Sequence, residues 1–507
     1  MRRIAIIGGG IAGLTAAFEL ARLARDGAPI EAVLYESSGR LGGLIETVRE
    51  GGFTVEAGPD GWVTAKPWAR ELATELGLAG ELIASNDATR KTWIYLDKLP
   101  GEANHSAPRL VAMPDGLNMM VPSDLRALDA SPLFTAAAIG AYRAESARAA
   151  ELLGAIPPHD ESIADFTLRH FGPEVLERVA APLLSGVFGG DVHRLSVHAI
   201  MPGFVRMERE HGSLIAALQS AAHKQPANEP PAIFTSLRSG LGTFINRLVA
   251  SIPPTWLRLN TTVTALQPPA PGRPHWVVST STSGKRLASD SFDAVFMATP
   301  LDAARQLLAP LDPHAAQLLP AESSSAVLVA LCFPDAARVP VPPGFGFLVP
   351  PRPAQPEAAP DTASTLLLAC TFVDQKYSGR VPPGGRVIRA FYGGAAAERL
   401  ARCNNDEIAA ITRLELARIL HSHSHAHKPL SGPAPTPLPT PVLTVVRRWP
   451  NSLPQYAVGH LDRVAELEFR LQALPGLTLL GNALHGVGIP DLIRDARAAA
   501  RTAATVD

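Results

Sequence analysis

Three glycines near the start of the chain stand at the spacing that a dinucleotide phosphate requires. Gly8, Gly10 and Gly13 form the pattern G-x-G-x-x-G, and Glu36 follows 23 residues after the last of them. A turn without side chains lets the backbone approach a pyrophosphate at a helix N-terminus, and a carboxylate at this distance can accept hydrogen bonds from ribose hydroxyls. The glycines alone are a weak signal, but with the acid they predict a dinucleotide-binding turn.

The elements around these residues occur in the order that such a site needs. Residues 4–7 form an apolar run typical of a buried parallel strand, and residues 14–25 repeat apolar side chains at helical spacing. Residues 33–35 predict a second strand that ends at Glu36. Strand, glycine turn, helix, strand and acid together favour a dinucleotide site over an ordinary glycine-rich turn.

The segment that begins at Glu36 favours FAD over NAD as the cofactor. It reads ESSGRLGG and resembles the second signature of flavoproteins that have two dinucleotide-binding domains. Arg40 can offer a forked cation to phosphate oxygens, while Gly42 and Gly43 allow the backbone to approach the ligand closely.

The bulk composition excludes several classes of protein. The chain has 507 residues, too many for one ordinary core, so two or three domains are expected. The 46 Lys and Arg residues balance 47 Asp and Glu residues, and nothing indicates a nucleic-acid partner. The cysteines Cys332, Cys370 and Cys403 are too widely spaced for a disulfide framework or a cysteine-based zinc site, and no metal is expected.

Cysteine usage and the N-terminal sequence indicate a cytoplasmic protein. Few thiols fit a reducing compartment, and no cationic, apolar signal region precedes the first strand. No apolar run approaches the ~20 residues that span a bilayer. Peripheral contact with the inner face of the cell membrane stays open.

Nucleotide-type elements at both ends and in the middle of the chain predict an α/β fold of mixed α+β character. We expect a Rossmann-like FAD-binding domain built from the discontinuous segments 1–85, 230–300 and 442–507. An inserted β-sheet substrate-binding domain is expected from segments 86–115 and 301–441.

Composition also marks a helical segment and two linkers. Residues 116–229 are Ala- and Leu-rich with helical periodicity, and they predict a separate helical domain. Residues 340–360 and 429–441 are proline-rich, so neither is expected to form regular structure. A flexible tract lacks fixed ligand geometry, so a solvated loop is favoured over a metal site for His421, His423, His425 and His427.

Three later segments are more specific than the N-terminal fingerprint. Residues 181–196 read APLLSGVFGGDVHRLS, and residues 208–214 read EREHGSL. The third segment begins at Trp449 and ends in GNALHGVGIPD at residues 481–491. Together with the fingerprint, these segments resemble the FAD-dependent, oxygen-using protoporphyrinogen oxidases over nearly the full length of the chain.

The resemblance implies a set of FAD contacts, position by position. Gly486 and Gly488 would bring a helix N-terminus close to the flavin pyrimidine, where reduction places negative charge. Val263 would pack against adenine, although a plain core valine explains it equally well. The implied contacts are Gly8, Gly9, Gly10, Ile11, Ala12, Gly13, Glu36, Ser37, Arg40, Gly43, Gly58, Pro59, Asp60, Gly61, Val263, Trp449, Val487, Gly488 and Ile489.

The resemblance also implies a reaction. Members of the family oxidise protoporphyrinogen IX to protoporphyrin IX in three two-electron steps, in which hydride passes to non-covalently bound FAD and oxygen is reduced to hydrogen peroxide. Aromatisation of the macrocycle drives the reaction, so no catalytic residue is assigned, and His211, His460 and His485 are interpreted as structural or surface residues. The family's helical domain associates with membranes. The composition here is compatible with that role, and a homodimer stays open.

A flat apolar macrocycle with propionates needs apolar walls and one or two cations. The family places a propionate-binding arginine just before an aromatic strand, here residues 93–95. Arg90 is the implied anchor, with Lys91 and Thr92 as alternatives. Walls of the substrate site and ordinary core packing are both compatible with Phe345, Phe347, Leu348 and Phe372.

Three other functions remain open from the sequence. Oxidation of coproporphyrinogen III to coproporphyrin III uses the same chemistry on a substrate with four propionates. Flavin amine oxidases share the fingerprint and often hold FAD through a C-terminal cysteine, but Cys403, the last cysteine, lies outside the closing motif. The prenyl-protein chaperones of small GTPases share the fold without needing FAD, and the complete C-terminal motif argues against them.

Overall fold

The computed structural model describes residues 1–96, 99, 108–224, 232–282, 285–351, 366–424 and 437–505. Its strands are β1 Arg2–Ile7, β2 Ile30–Tyr35, β3 Thr47–Glu50, β4 Phe53–Glu56, β5 Trp62–Val63, β6 Leu82–Ala84, β7 Thr92–Leu96, β8 Arg109–Ala112, β9 Leu117–Asn118, β10 Val121–Pro122, β11 Phe234–Leu237, β12 Leu257–Arg258, β13 Thr262–Gln267, β14 Trp276–Thr282, β15 Lys285–Phe292, β16 Ala294–Met297, β17 Ser323–Phe333, β18 Gly346–Leu348, β19 Ala369–Phe372, β20 Arg386–Gly393, β21 Leu443–Pro454 and β22 Leu477–Leu479.

Helices connect and cover these strands. They are α1 Ile11–Arg25, α2 Trp68–Glu75, α3 Arg126–Asp129, α4 Ala136–Glu145, α5 Ala149–Gly154, α6 Ile163–Phe171, α7 Pro173–Val175, α8 Ala181–Phe188, α9 Val197–Ile200, α10 Pro202–His211, α11 Leu214–Lys224, α12 Gly242–Ala250, α13 Leu301–Leu308, α14 Pro313–Leu318, α15 Val373–Lys376, α16 Gly394–Leu400, α17 Asn405–Ser424, α18 His460–Leu471 and α19 Ile489–Thr505.

The first sheet is parallel and carries the predicted nucleotide site. Its strand order is β12-β2-β1-β16-β22, and all four pairings are parallel. Ile4 and Ile6 of β1 pack into a core shared with α1, α12 and α19, whereas Ala5 and Ile7 pack into a second core on the other face. A parallel strand buried on both faces needs such a continuous apolar run, which explains the composition of β1.

The strand order reverses next to β1, and this reversal creates a crevice. After β1 the chain adds β2 on one side, while β16 pairs on the other side and leads on to β22. In open parallel sheets, ligands bind outside the carboxyl ends of the strands at such a switch point. The turn after Ile7 and the residues after Met297 and Leu479 all meet at this edge. The fold therefore confirms the expected Rossmann-like arrangement.

A second sheet has seven strands in the order β21-β17-β20-β19-β18-β7-β8. The expectation that residues 340–360 lack regular structure is wrong for Gly346–Leu348, because β18 pairs with both β7 and β19. Strand β21, which falls in the segment 442–507, pairs with β17 in this sheet rather than with the first one. The domain boundaries themselves stay a prediction.

Helices α3 to α11 form the helical region that composition predicts. Their apolar side chains, among them Tyr142, Phe166 and Phe171, share one core. A π-helical turn at Leu176–Ala180 joins α7 to α8. Across the described ranges, no helix is long and apolar enough to cross a membrane. Surface association of this region with a membrane is not shown by the fold.

The histidine-rich tract differs in part from the expected loop. Helix α17 continues to Ser424, so His421 and His423 lie on a helix. The Nδ1 atom of His421 lies 2.7 Å from the Ala417 carbonyl oxygen. His425 and His427 lie outside the described residues. Within the part of the chain that the structure describes, no group of three or more metal-ligating side chains occurs.

Candidate cofactor site

Two of the fingerprint glycines are required by the packing of the protein itself. Gly8 has a φ of +109° and donates its N–H to the Tyr35 carbonyl over 2.8 Å. A Cβ atom on Gly8 would lie 2.3 Å from the Ala298 carbonyl oxygen, and one on Gly13 would lie 2.0 Å from the Gly8 oxygen. Any side chain at these two positions would push apart the strand, the turn and the helix.

Gly10 is different, because its missing side chain leaves open space. It precedes α1 in an extended conformation, and a Cβ atom there would meet no protein atom within 4 Å. Gly43 faces it, since a Cβ on Gly43 would lie 3.1 Å from the Gly10 Cα. Ile11, Ala12 and Gly13 begin α1, and no side chain in the described ranges caps its N-terminus. This slot fits a pyrophosphate, which helix N-termini bind through their free amides.

Glu36 stands at the carboxyl end of β2, directly above the glycine turn. One carboxylate oxygen accepts the Gly9 N–H over 2.8 Å, and the other accepts the Ser38 N–H over 2.8 Å. The Ser37 hydroxyl lies 3.4 Å from the same carboxylate. The structure thus brings the predicted ribose acid and the predicted phosphate turn together, as the sequence spacing requires.

Arg40 has a local structural role in the described arrangement. Its guanidinium donates to the Ile45 carbonyl over 2.9 Å and to the Leu41 carbonyl over 3.3 Å, and it also donates to the Gly43 carbonyl. These bonds brace the turn that carries Gly43 opposite Gly10. A direct contact between Arg40 and phosphate stays a prediction.

The loop of Gly58, Pro59, Asp60 and Gly61, hereafter loop 58–61, lies beside this turn. A Cβ on Gly58 would lie 1.8 Å from the oxygen of Leu44, the residue after Gly43. A Cβ on Gly61 would lie 2.5 Å from the Tyr377 hydroxyl. The loop is therefore packed tightly between the first nucleotide unit and residues that belong to the second sheet or border it.

Asp60 is held by two cations that the sequence did not single out. Its carboxylate lies 3.0 Å from the Lys376 ammonium and 3.0 Å from the Arg389 guanidinium, which also donates to the Gly58 carbonyl. Burial raises the pKa of Asp60, but the attraction of Lys376 and Arg389 outweighs it and holds that pKa well below its usual range. A charged residue inside an apolar strand, as Arg389 is in β20, was the available signal.

A second buried pair lies next to Asp60. The side chains of Glu56 and Arg380 are each 1% exposed, and their charged groups are 3.1 Å apart. Glu56 accepts bonds from the Thr47 hydroxyl and the Leu241 N–H over 2.6 and 2.7 Å. Burial raises the pKa of Glu56 against the lowering effect of Arg380. These contacts tie β3 and β4 to the start of α12.

The C-terminal motif places the start of α19 near the same edge. Gly486 has a φ of +143° and donates its N–H to the Tyr456 hydroxyl over 3.1 Å, and that hydroxyl donates to the Asn482 carbonyl over 2.7 Å. Asp491, in the first turn of α19, lies 2.6 Å from the Lys66 ammonium. Val487, Gly488 and Ile489 are thereby fixed at the helix start, next to the segment that follows loop 58–61.

Trp449, Val263 and His460 all make contacts inside the protein. Trp449 donates its indole N–H to the Ala57 carbonyl over 2.8 Å. Val263 is 9% exposed and shares a core with Tyr35. His460 stacks on Tyr456 with ring centroids 3.9 Å apart, and burial lowers its pKa, so the structural interpretation fits it.

The expected substrate contacts lie in a short turn and in the core of the second sheet. Arg90 ends a short turn and donates its backbone N–H to the Asp87 carbonyl over 3.2 Å. Phe347 and Phe372 are 1% and 0% exposed, with ring centroids 6.3 Å apart in the core of the second sheet. Core packing, and not a wall of an open site, therefore explains these two rings. Phe345 is buried as well, whereas Leu348 is half-buried.

Two segments that carry the family resemblance meet at a cavity of about 390 Å³. The cavity is lined by residues of the 189–195 segment, by 317–324 and by 455–463, including the cations Arg194 and Arg463. Gln455 joins the walls, because its amide donates to the Phe188 carbonyl over 2.9 Å. The next residue, Tyr456, belongs to the C-terminal motif described above.

The crevice at the switch point has polar groups that fit a bound cofactor. The Thr299 hydroxyl follows β16 there and is buried with no hydrogen-bond partner among the described residues. Together with the open slot at Gly10 and the uncapped start of α1, this orphaned group indicates a polar ligand. The free amides can donate to phosphate, the Glu36 carboxylate can accept from ribose hydroxyls, and a second helix N-terminus lies nearby, so this set of groups fits FAD.

Comparison with known proteins agrees with this geometry. The chain belongs to the flavin containing amine oxidoreductase family, whose model matches residues 11–504. It is a flavin-containing oxidoreductase, and its fold is that of the FAD-dependent amine oxidases.

Several similar proteins are named as oxidases of porphyrinogens. The chain is 30% identical to the coproporphyrinogen III oxidase of Bacillus subtilis, over 99% of this chain and 98% of that protein. It is 26% identical to the chloroplastic protoporphyrinogen oxidase 1 of Arabidopsis thaliana, over 96% of this chain and 84% of that protein. A solved structure described as a candidate protoporphyrinogen oxidase from Exiguobacterium sp. 255-15 superposes with a TM-score of 0.76 at 27% identity, covering 99% of this chain and 98% of that one.

Proposed function

We propose that this protein is an FAD-dependent oxidase that converts a porphyrinogen into its porphyrin during haem biosynthesis, with coproporphyrinogen III as the preferred substrate. The observation that carries the proposal is the end-to-end similarity to named porphyrinogen oxidases, combined with a crevice that fits FAD. Bacterial relatives named coproporphyrinogen III oxidase favour that substrate over protoporphyrinogen IX, which the sequence motifs first suggested. Protoporphyrinogen IX is the second candidate, supported by the Arabidopsis relative.

The residues of this chain position the cofactor rather than perform acid–base chemistry. When bound, FAD supplies a two-electron acceptor that oxygen regenerates, with release of hydrogen peroxide. The first-turn amides of α1 would hold its pyrophosphate and Glu36 a ribose. The start of α19 would place a positive helix end near the ring that gains negative charge. Each porphyrinogen loses six hydrogens, so three oxygen molecules yield three molecules of peroxide.

Binding of FAD is proposed to be non-covalent. The Cys403 sulfur, the only half-exposed thiol of the three, lies 3.9 Å from the Arg399 carbonyl in the turn after α16. Acid or detergent precipitation should therefore release all flavin into the supernatant. Flavin that stays with the precipitated protein would contradict this part of the proposal.

Side-by-side kinetics of the two porphyrinogens test the proposed substrate. Purified yellow protein would receive anaerobically reduced coproporphyrinogen III or protoporphyrinogen IX in air, and porphyrin fluorescence and peroxide would be followed together. We expect a higher kcat/KM for coproporphyrinogen III and one peroxide per two electrons. A higher value for protoporphyrinogen IX would support the second candidate. If yellow protein oxidises neither porphyrinogen but oxidises a primary amine, the proposal is wrong and the amine oxidase alternative holds.

Partners and location are proposals drawn from the resemblance alone. The protein is proposed to be cytoplasmic, to contact a membrane surface through its helical region, and to form a homodimer. Flotation with vesicles of phosphatidylglycerol and phosphatidylethanolamine tests the membrane contact, and sedimentation tests the dimer. Protein that stays at the bottom of the flotation gradient would contradict the membrane contact. Protein that sediments as a monomer would contradict the homodimer.

A further inference from the structure

Three buried cations lie behind loop 58–61 and outnumber the acids that the described structure places against them. Lys376, Arg380 and Arg389 have side chains that are 10%, 1% and 2% exposed. Among the residues that the structure describes, they pair with Glu56 and Asp60, so three positive charges meet two carboxylates, an excess of one. We name these five residues the site cluster. Because burial raises the pKa of Glu56, the excess of positive charge is at least this large.

Aromatic rings pack against two of the cations. Lys376 lies 4.6 Å from the ring centroid of Phe234, and the Arg389 guanidinium lies 5.0 Å from that of Phe391. Aromatic faces stabilise a cation without neutralising it. The Arg389 Nε and the Tyr377 hydroxyl are buried without a hydrogen-bond partner in the described ranges. The cluster is therefore an electropositive, low-dielectric region and not a closed set of ion pairs.

The cluster adjoins the path between the two ends of the cofactor crevice. Arg389 donates to the Gly58 carbonyl, and Gly58 packs against Leu44, one residue from the slot at Gly10 and Gly43. Beyond the loop and strand β5, Lys66 is paired with Asp491 in the first turn of α19. Loop 58–61 therefore lies between residues that border the slot and the segment that pairs with the start of α19.

We propose that Lys376 and Arg389 are positioning residues that act through Asp60 and loop 58–61 to raise the electron-accepting strength of the flavin. This inference rests on the proposed function, in which two electrons enter FAD. The two-electron-reduced ring carries negative charge, and a fixed excess of buried positive charge stabilises that form relative to the oxidised one. Asp60 holds the two cations against the loop and partly offsets their field.

The test measures flavin chemistry without any porphyrinogen. Sulfite adds to oxidised flavin to give an anionic adduct, so its dissociation constant and the midpoint potential report on positive charge near the ring. The variants are Lys376→Met, Lys376→Arg and Asp60→Asn. We expect Lys376→Met to weaken sulfite binding about tenfold and to lower the potential, because one positive charge is lost. Lys376→Arg keeps the positive charge, so its sulfite dissociation constant and midpoint potential should stay close to those of the parent protein.

Asp60→Asn gives the sharpest result, because the expected sign is opposite. Removing this carboxylate leaves the cations less compensated, so sulfite should bind more tightly and the potential should rise. A merely structural role would weaken binding in both Asp60→Asn and Lys376→Met. The matched control is Arg386→Gln, which removes a cation from the same strand β20, where Arg386 pairs with Asp374 over 3.1 Å. Its sulfite affinity should stay within about twofold of the parent protein.

The outcomes separate this inference from the proposed function. Unchanged sulfite affinity in Lys376→Met, or weaker binding in Asp60→Asn, would overturn the inference even if porphyrinogens are oxidised normally. The expected shifts in a protein that oxidises no porphyrinogen would overturn the proposed function alone. If Lys376→Met fails to fold or to bind FAD, Asp60→Asn and Lys376→Arg still decide the question.

Discussion

Two buried charge clusters in this molecule are built on opposite principles. The site cluster beside loop 58–61 has three cations and two carboxylates, and its cations are lysine and arginine. In the helical region, Glu145, Glu161, Arg169, His170 and Glu208 form a second set, which we name the helix cluster. It has three carboxylates and two basic groups, one of them a histidine. The first cluster is biased positive, and the second is biased negative and contains a histidine, whose charge depends on pH.

The helix cluster holds several helices together. The two ring nitrogens of His170 lie 2.9 Å from a Glu145 oxygen and 3.0 Å from a Glu208 oxygen. Glu145 also accepts the Leu214 N–H at the start of α11 over 2.7 Å. Burial lowers the pKa of His170, but the two carboxylates outweigh it and raise that pKa above its ordinary value. Helices α4, α6, α10 and α11 are thereby linked through one imidazolium.

The difference shows how the same kind of interaction serves two purposes. Charges that keep their sign across the physiological range can supply a steady field at a cofactor, as lysine and arginine do in the site cluster. A histidine between carboxylates instead makes packing depend on pH, as in the helix cluster. We therefore expect changes in the site region to alter flavin binding and chemistry, and changes in the helix cluster to alter stability.

The largest expected effect is in the slot at Gly10. A Gly10→Val side chain would fill space that no protein atom occupies, so we expect FAD binding to weaken by at least about a hundredfold while the fold loses only about 1 kcal/mol. Flavin content and thermal unfolding of the apoprotein measure the two quantities. The contrasting variant is Gly13→Val, where the new Cβ would lie 2.0 Å from the Gly8 oxygen and the fold itself should fail. Normal flavin content in Gly10→Val would remove the slot from the site.

The next effect tests whether the site cluster also stabilises the fold. Arg380→Met leaves Glu56 buried without its partner, so we expect the free energy of unfolding to fall by about 3 kcal/mol. Urea unfolding measures the loss. The double variant with Glu56→Gln should recover part of it, since no unpaired charge then remains. A double variant whose loss equals the sum of the losses in Arg380→Met and Glu56→Gln alone would show that the pair is not coupled.

A smaller, pH-dependent effect is expected in the helix cluster. Because the pKa of His170 is raised in the folded state, its stabilisation is fully present below the unfolded value of about 6.5 and is lost as pH rises through the folded value. The pKa values of Glu145 and Glu208 are lowered from 4.5, because attraction to their basic partners outweighs the raising effect of burial, so their contribution is lost only in acid.

His170→Gln measures that contribution directly. The difference in unfolding free energy from the parent protein should be about 1–3 kcal/mol near pH 6 and should shrink toward pH 9. The control is Arg386→Gln, whose difference should stay constant over the same range because a guanidinium remains charged. A difference for His170→Gln that does not change with pH would break the contrast between the two clusters.

The smallest effect concerns the substrate. If Arg90 holds a propionate, Arg90→Ala should raise KM about fivefold and leave kcat nearly unchanged, because the lost contact binds substrate and transition state alike. Steady-state kinetics with the preferred porphyrinogen measure both values. Lys91→Ala is the matched comparison at the neighbouring position. Equal kinetics for the parent protein and Arg90→Ala would move the anchor to Lys91 or elsewhere.

Sequence reasoning succeeded where the chemistry is local. Gly8, Gly13 and Glu36 lie within one strand-helix-strand unit, so their spacing along the chain translates directly into geometry. It failed for the strand Gly346–Leu348, because a proline-rich neighbourhood hid a short apolar run that becomes a strand only by pairing with β7 and β19. It also missed Lys376 and Arg389, since a single charge in an apolar segment does not reveal its partner.

By itself, the sequence determined the nucleotide fingerprint, the class of fold and the helices between residues 126 and 224, because each depends on short-range periodicity and turn chemistry. It did not reveal the short strands Leu117–Asn118 and Val121–Pro122, which lie inside the predicted helical segment and pair with each other. Only the tertiary structure decided what surrounds the cofactor path. Asp60 and Lys376 are 316 residues apart in the chain, as Glu145 and Leu214 are 69 apart, and nothing local links them. The charge balance of a buried cluster depends on which distant segments pack together. Burial then strengthens the electrostatic effect of each unpaired charge.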